Sequence, residues 1–103
     1  MKFIDLKEVT KFTPDKPYRE LLYDSPNLRV LVFNFEPGQE LPIHSHPTDS
    51  DVTLMVLEGE GEFTGAHEMP ARAGTIQIMP VCEPHGLKAN TRLRLLVLIA
   101  PTL

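Results

Sequence analysis

The apolar residues of this chain occur in short runs that turn-forming residues separate. Ten prolines and six glycines interrupt the 103-residue sequence, so few segments are long enough for a helix. The runs between them are rich in β-branched, leucine and aromatic residues, which predicts β-strands. We place these strands at residues 18–23, 28–35, 52–57, 62–64 and 75–79, with residues 65–68 as a hairpin loop.

Two segments without proline or glycine have a length natural for a helix, residues 1–13 and 87–100. The second includes residues 93–100, which have almost no polar face, so we predict a strand buried on both sides. The first carries too much apolar surface for a free tail, and we expect it to pair with a sheet of its own chain or of a partner. Its apolar residues are Phe3, Ile4, Leu6, Val9 and Phe12.

Many short strands at this spacing predict an all-β fold, an antiparallel sandwich or small barrel. The length suits one hydrophobic core, so we expect a single domain over residues 1–103. The composition, 42% hydrophobic and 23% charged, is ordinary for a globular domain and excludes intrinsic disorder.

Charge and cysteine content narrow the partners and the compartment. The net charge is −4 and the ten lysines and arginines are scattered, which argues against nucleic-acid binding. The one cysteine, Cys82, excludes an internal disulfide and a multi-cysteine zinc site, and it favours a reducing compartment. No apolar run approaches the roughly 18 residues of a membrane helix, and residues 1–8 lack a signal-peptide core. We therefore expect a cytoplasmic protein with no membrane partner.

Three of the four histidines suggest a metal site. His44 and His46 are two residues apart, and in a strand such residues project from the same face. His85 lies beside a corner that Pro80 and Pro84 bracket. Three imidazoles that converge from two strands would bind a divalent metal and leave one side open. A His-x-His pair alone also occurs on surfaces that bind no metal.

The segments around these histidines form two recognisable blocks. Residues 38–46 read G-x5-H-x-H, and residues 74–85 read G-x5-P-x-C-x2-H, with a strand and Gly59 between them. In this order the two blocks, about 38–59 and 74–90 in full, resemble the signature motifs of the cupin superfamily. The resemblance covers roughly residues 31–98, and it is to small single-domain cupins.

The resemblance implies a double-stranded β-helix, or jelly-roll, barrel of two sheets. It implies that His44, His46 and His85 ligate one divalent transition-metal ion inside the barrel mouth, where Fe, Mn, Ni, Zn and Co are all acceptable. It also implies a homodimer, because small cupins commonly form one, and a small-molecule ligand.

The carboxylate that cupins usually add to these ligands is missing from its expected place. Counting back from Gly59 puts that glutamate position at Val52, whereas counting forward from the second histidine puts it at Ser50 or Asp51. Asp51 would ligate the metal only if a β-bulge turned it inward, since strand faces alternate. Asp49 could ligate from the loop instead, or the site has three histidines only, with water or substrate in the open position.

Other polar residues have ordinary interpretations. Cys82 stands where the second motif usually has glycine, and we expect a half-buried small side chain, with a redox-active thiol near the metal as the alternative. His67 is expected to be a solvated loop residue. The alternating residues Glu58, Glu60 and Glu62 predict one exposed strand face.

The function expected from this site is that a metal ion binds a small oxygen-rich organic molecule. Neutral imidazoles leave most of the 2+ charge uncompensated, which favours an anionic or chelating oxygen ligand. If the protein is an enzyme, a dioxygenase or an isomerase fits best. The alternative is a non-enzymatic binding or sensing module with a structural or vestigial metal, which the missing glutamate and the lack of an evident general base favour.

Overall fold

The computed structural model describes all 103 residues, and nine antiparallel strands form two sheets around one core. In chain order the strands are β1 (Tyr18–Asp24), β2 (Arg29–Phe35), β3 (Glu40–His44), β4 (Asp51–Glu58), β5 (Glu60–Gly65), β6 (Met69–Arg72), β7 (Ile76–Pro80), β8 (His85–Ala89) and β9 (Leu93–Ala100). One sheet has the order β1-β2-β9-β4-β7, and the other has the order β3-β8-β5-β6. The predicted all-β jelly-roll barrel is confirmed.

The strands predicted from the apolar runs are confirmed to within one residue at their ends for β1, β2, β4, β7 and β9, and residues 62–64 lie inside β5. Sequence reasoning missed β3, β6 and β8. Two of these contain a proline, Pro42 in β3 and Pro70 in β6. Both are edge strands of the four-stranded sheet, which is where a strand tolerates a residue that cannot donate a hydrogen bond.

The core lies between the two sheets, and β9 crosses its centre. Leu93, Leu95 and Val97 of this strand face the interior, and Leu96 on the opposite face is half-buried. The prediction of a strand buried on both sides is thus correct for the inner face, whereas Leu96 and Leu98 on the outer face are only half-buried.

The first residues of the chain lie against the five-stranded sheet without adding a strand to it. The segment contains only one short 3-10 turn, Leu6–Glu8. The buried Asn34 donates from Nδ2 to the carbonyls of Val9 and Lys11, each at 2.9 Å, and the Arg94 guanidinium donates to the carbonyl of Leu6. The expectation that this segment pairs with a sheet is corrected accordingly, because side chains rather than a backbone ladder hold it. No helix has the length and apolarity needed to cross a membrane.

The three alternating glutamates do not share a strand face. Glu58 ends β4 in the five-stranded sheet, where it accepts a hydrogen bond from Arg94 at 3.1 Å. Glu60 and Glu62 belong to β5 in the other sheet. The prediction is wrong because the chain crosses between sheets at Gly59, whose φ of +90° breaks the strand alternation.

Candidate metal and ligand site

A cavity of about 210 Å³ opens between the two sheets, and all three motif histidines line it. His44 comes from the end of β3, His85 from the start of β8, and His46 from the loop after β3. Nine of the fourteen lining residues are hydrophobic, and none is an aspartate or a glutamate. The sequence-predicted histidines therefore share one largely apolar chamber.

The backbone brings the rings together in a way that the sequence pattern does not show. His44 lies opposite His85 in the ladder between β3 and β8, and their ring centroids are 4.3 Å apart. The register of β3 shifts between Leu41 and His44, because three steps along β3 match two along β8. This β-bulge puts both Leu41 and His44 on the cavity side and leaves Ile43 59% exposed.

His46 reaches the cavity from outside the strand. The strand β3 ends at His44, so the same-face rule for a strand does not explain the pair. Instead the His46 backbone N–H donates to the Val81 carbonyl at 3.0 Å, which ties this loop to the turn between β7 and β8. The ring centroids of His44 and His46 are 5.4 Å apart.

In the His44 and His85 rings, hydrogen bonds determine which of the two nitrogens is free. Nδ1 of His44 lies 2.8 Å from the Pro42 carbonyl, and Nδ1 of His85 lies 2.8 Å from the Glu83 carbonyl. A carbonyl oxygen only accepts, so each Nδ1 carries the proton and each Nε2 offers a lone pair. Outer hydrogen bonds of this kind orient metal-ligating histidines.

Burial lowers the pKa of His85 below its ordinary value, the neighbouring His44 and His46 lower it further, and the hydrogen bond to the Glu83 carbonyl opposes them. His85 is only 2% exposed, so desolvation of the charged ring is the main cause. The neutral imidazole, which is the form that binds metals, is thus favoured at neutral pH.

The donor set fits a divalent transition metal by its chemistry, since imidazole nitrogen suits Fe, Ni, Cu and Zn. As the side chains stand, no three His, Cys, Asp or Glu residues form a group that could hold a metal ion. The rings of His44 and His85 are anchored through Nδ1, whereas the ring of His46 makes no hydrogen bond to the protein. His46 is thus the one ring of the three that no hydrogen bond to the protein holds in place.

The carboxylate candidates lie outside this cavity. Asp51 is exposed, whereas its neighbour Val52 is 1% exposed and lines the cavity. The pairing of β4 with β7 runs through Asp51 and Val52 without a bulge, so alternation turns Asp51 away from the histidines. Asp49 is also exposed, in the loop before β4, and does not line the cavity. The structure brings the three histidines together and leaves both aspartates out.

Two other polar residues can now be placed. Cys82 is exposed and does not line the cavity, so the expectation of a half-buried side chain is wrong. It sits on a turn at the surface, and no residue other than glycine has a positive φ, so the loss of the motif glycine there is tolerated. His67 is exposed, as predicted, with Nε2 3.5 Å from a Glu83 carboxylate oxygen.

Two arginines in the cavity lining were missed by sequence reasoning, Arg19 on β1 and Arg29 on β2. The inward orientation of Arg29 could have been predicted from the sequence. Residues two apart in a strand project from the same face, and Leu31 and Phe33 of this strand both face inward. No comparable signal marks Arg19, which lies opposite Phe33 only because β1 pairs with β2 in this register.

Comparisons with known proteins agree with this architecture. The family model described as "Cupin domain" matches residues 31–99. A crystal structure of an RmlC-like cupin protein from Desulfovibrio desulfuricans is 40% identical, covers 100% of this chain and 99% of its own, and superposes with a TM-score of 0.95. The protein TT1209 from Thermus thermophilus is 29% identical, with 98% of each chain covered and a TM-score of 0.89.

More distant structures share the fold alone. The DMSP lyase DddQ from Ruegeria pomeroyi is 24% identical over 86% of this chain and 49% of its own, with a TM-score of 0.76. A search of curated proteins finds no match. Because the family model covers more than half of the chain, and a relative of the same fold is 40% identical over its full length, the chain belongs to the cupin domain family.

Proposed function

We propose that this cupin binds one divalent transition-metal ion through Nε2 of His44 and His85 and a ring nitrogen of His46, and holds a small oxygen-rich molecule beside it. The observation that supports this most directly is the pair of anchored rings, His44 and His85, whose Nε2 lone pairs are free in one cavity. A metal bound there would supply Lewis-acid chemistry. Asp51 has no part in the proposed ligand set, since it points away from the cavity.

The ligand's chemistry follows from the charge of such a site. Three neutral imidazoles and no carboxylate leave the ion's 2+ charge uncompensated by the protein. An anionic or chelating oxygen ligand would compensate it. The apolar lining, with Val52 at the position counted back from Gly59, would contact the carbon part of such a molecule.

The direct test is metal stoichiometry. Metal-free protein is incubated with Ni(II), dialysed against a weak chelator and analysed for nickel. We expect about one ion per chain, because a site with three imidazoles retains Ni(II) strongly. Protein that keeps no nickel after this treatment would contradict the proposal.

Two functions are proposed for this site. In the first the protein is an enzyme, a metal-dependent oxygenase or isomerase, and in the second it is a non-enzymatic binding module. Apart from histidine and arginine, every residue that lines the cavity is hydrophobic, so the histidines would be the only general bases. This specific feature favours the binding module as the second candidate. Oxygen uptake by anaerobically Fe(II)-loaded protein with diketones, phenols and thiols tests for the oxygenase, because neither an isomerase nor a binding module consumes oxygen.

We also propose a reducing, cytoplasmic location. The only cysteine, Cys82, is exposed and unpaired. Exposed free thiols persist in compartments where thioredoxin and glutathione keep them reduced. A histidine metal site can form in reducing and in oxidising compartments, so the proposed location rests on the thiol alone.

We propose in addition that two copies of the chain pair through the outer face of the five-stranded sheet. Register places Ile78, Thr53 and Leu98 side by side, and likewise Ile76, Met55 and Leu96 in the next outward-facing row. Ile78 is 68% exposed and Ile76 is 49% exposed, which is unusual for isoleucine on a sheet.

Ile78→Lys is expected to convert the dimer to monomer, since a charge at the centre of an apolar interface would lose its hydration. Ile43→Lys is the matched control, because Ile43 is 59% exposed but lies on β3 in the other sheet. Light scattering at micromolar concentration should give twice the 11.6-kDa chain mass for the native protein and for the control. A native protein that is monomeric under these conditions would reject the proposed interface.

A further inference from the structure

The cavity that holds the three histidines contains only cationic or neutral polar groups. Arg19 and Arg29 line it, and no aspartate or glutamate does. The chain as a whole is acidic, with 14 acidic residues against ten basic ones. Because the rest of the protein is acidic, anions are attracted mainly to this positively charged cavity.

The two arginines differ in how far their charge is already balanced. Arg29 donates to both carboxylate oxygens of Asp24, from Nε at 3.3 Å and from the terminal nitrogen at 3.4 Å. Arg19 forms no ion pair with any carboxylate. Asp24 therefore holds the Arg29 guanidinium in place and partly neutralises it, whereas the Arg19 guanidinium is free to bind an external anion.

The arginines and the histidines stand on opposite walls. Arg19 and Arg29 belong to β1 and β2 of one sheet, and His44 and His85 belong to β3 and β8 of the other. Between them lie apolar residues such as Phe33 and Leu41. The cavity volume of about 210 Å³ leaves room for a ligand of several heavy atoms.

We infer that the ligand is a short organic acid with two separated polar ends, one at the histidine wall and a carboxylate bound by Arg19. The guanidinium plane matches a carboxylate through paired hydrogen bonds, and the apolar lining contacts the carbon chain between the ends. This inference rests on the proposed function for the histidine end, whereas the arginine end is independent of any metal.

The test compares short dicarboxylates with a monocarboxylate. Ni(II)-loaded protein is titrated calorimetrically with malonate, succinate, glutarate and adipate, and with butyrate as the reference. We expect at least one dicarboxylate to bind about tenfold or more tightly than butyrate, the gain typical of a charge-assisted hydrogen bond. Arg19→Gln should remove this preference, and Arg19→Lys should keep part of it. Arg72→Gln is the matched control, because Arg72 is exposed on β6 and does not line this cavity.

A second measurement separates failure of the inference from failure of the metal proposal. In metal-free protein, butyrate should bind more tightly than the uncharged butyramide, and Arg19→Gln should abolish that difference while circular dichroism shows an unchanged fold. If nickel is not retained but this difference is present, only the metal proposal fails. If dicarboxylates bind no better than butyrate to protein that retains nickel, or if Arg19→Gln leaves the preferences unchanged, the inference is overturned.

Discussion

His46→Ala is expected to weaken metal binding by about 100-fold or more. Loss of a residue that only supports a metal ligand typically costs 10–100-fold in affinity, and loss of a ligand itself should cost at least as much. The remaining rings, His44 and His85, would then form a site of two nitrogens. His46 is the suitable position because its ring makes no hydrogen bond to the protein and the residue is only half-buried, so its loss should not unfold the chain.

The measurement is nickel content after dialysis against a weak chelator, with thermal unfolding of the metal-free variant as a check on folding. Asp51→Asn serves as the control, because Asp51 is near in sequence but exposed on the outer face of β4. We expect this control to keep the nickel content of the native protein. Equal loss in both variants would show that Asp51 is a ligand and that β4 differs from the arrangement described above.

Gly59→Ala is expected to destabilise the fold by about 3 kcal/mol or more, a large part of the 5–15 kcal/mol that typically stabilises a domain. Gly59 has a φ of +90°, which alanine adopts only at a cost of about 1–2 kcal/mol. A Cβ there would also lie 2.0 Å from the Arg92 carbonyl oxygen and 2.8 Å from the Leu93 Cα. Both are backbone atoms, so the contact between the β4–β5 crossing and β9 would have to open.

Gly74→Ala measures the cost of the positive φ alone, without the steric clash expected at Gly59. Gly74 has the same φ of +90°, but a Cβ there would meet no atom within 4 Å. Its substitution should therefore cost only the conformational term, about 1–2 kcal/mol. Urea unfolding of the two variants gives the difference directly. Equal destabilisation in both would mean that the close approach at Gly59 relaxes freely.

Much of the fold could be predicted from local patterns. The apolar runs predicted β1, β2, β4, β7 and β9. Three of these strands, β2, β4 and β9, supply nine of the 15 core residues, and burial selects the residue type there. The strands β3, β6 and β8 could not be found in this way. Two are proline-containing edges, and β8 is short and includes Gly86, whose missing Cβ leaves room for the Leu41 carbonyl oxygen.

The candidate site, too, could be predicted only in part from the sequence. The two motif blocks alone identified His44, His46 and His85, because the spacing of these residues from glycines and prolines is a local property of the chain. They left Asp51 open, since its orientation depends on whether a bulge lies between His46 and Val52. The structure has its bulge on β3, just before His44, and none at Asp51 on β4.

Which side chains face one another across the barrel depends on long-range folding. Local patterns were enough to predict the sheet-rich class, the main strands and the three histidines. They did not determine that Arg19 and Arg29 stand across the cavity from these histidines, because strands of different sheets meet there. Within one strand, alternation decides which side chains point toward the core. Bulges, crossings between sheets and strand register depend instead on long-range pairing, which no local pattern encodes.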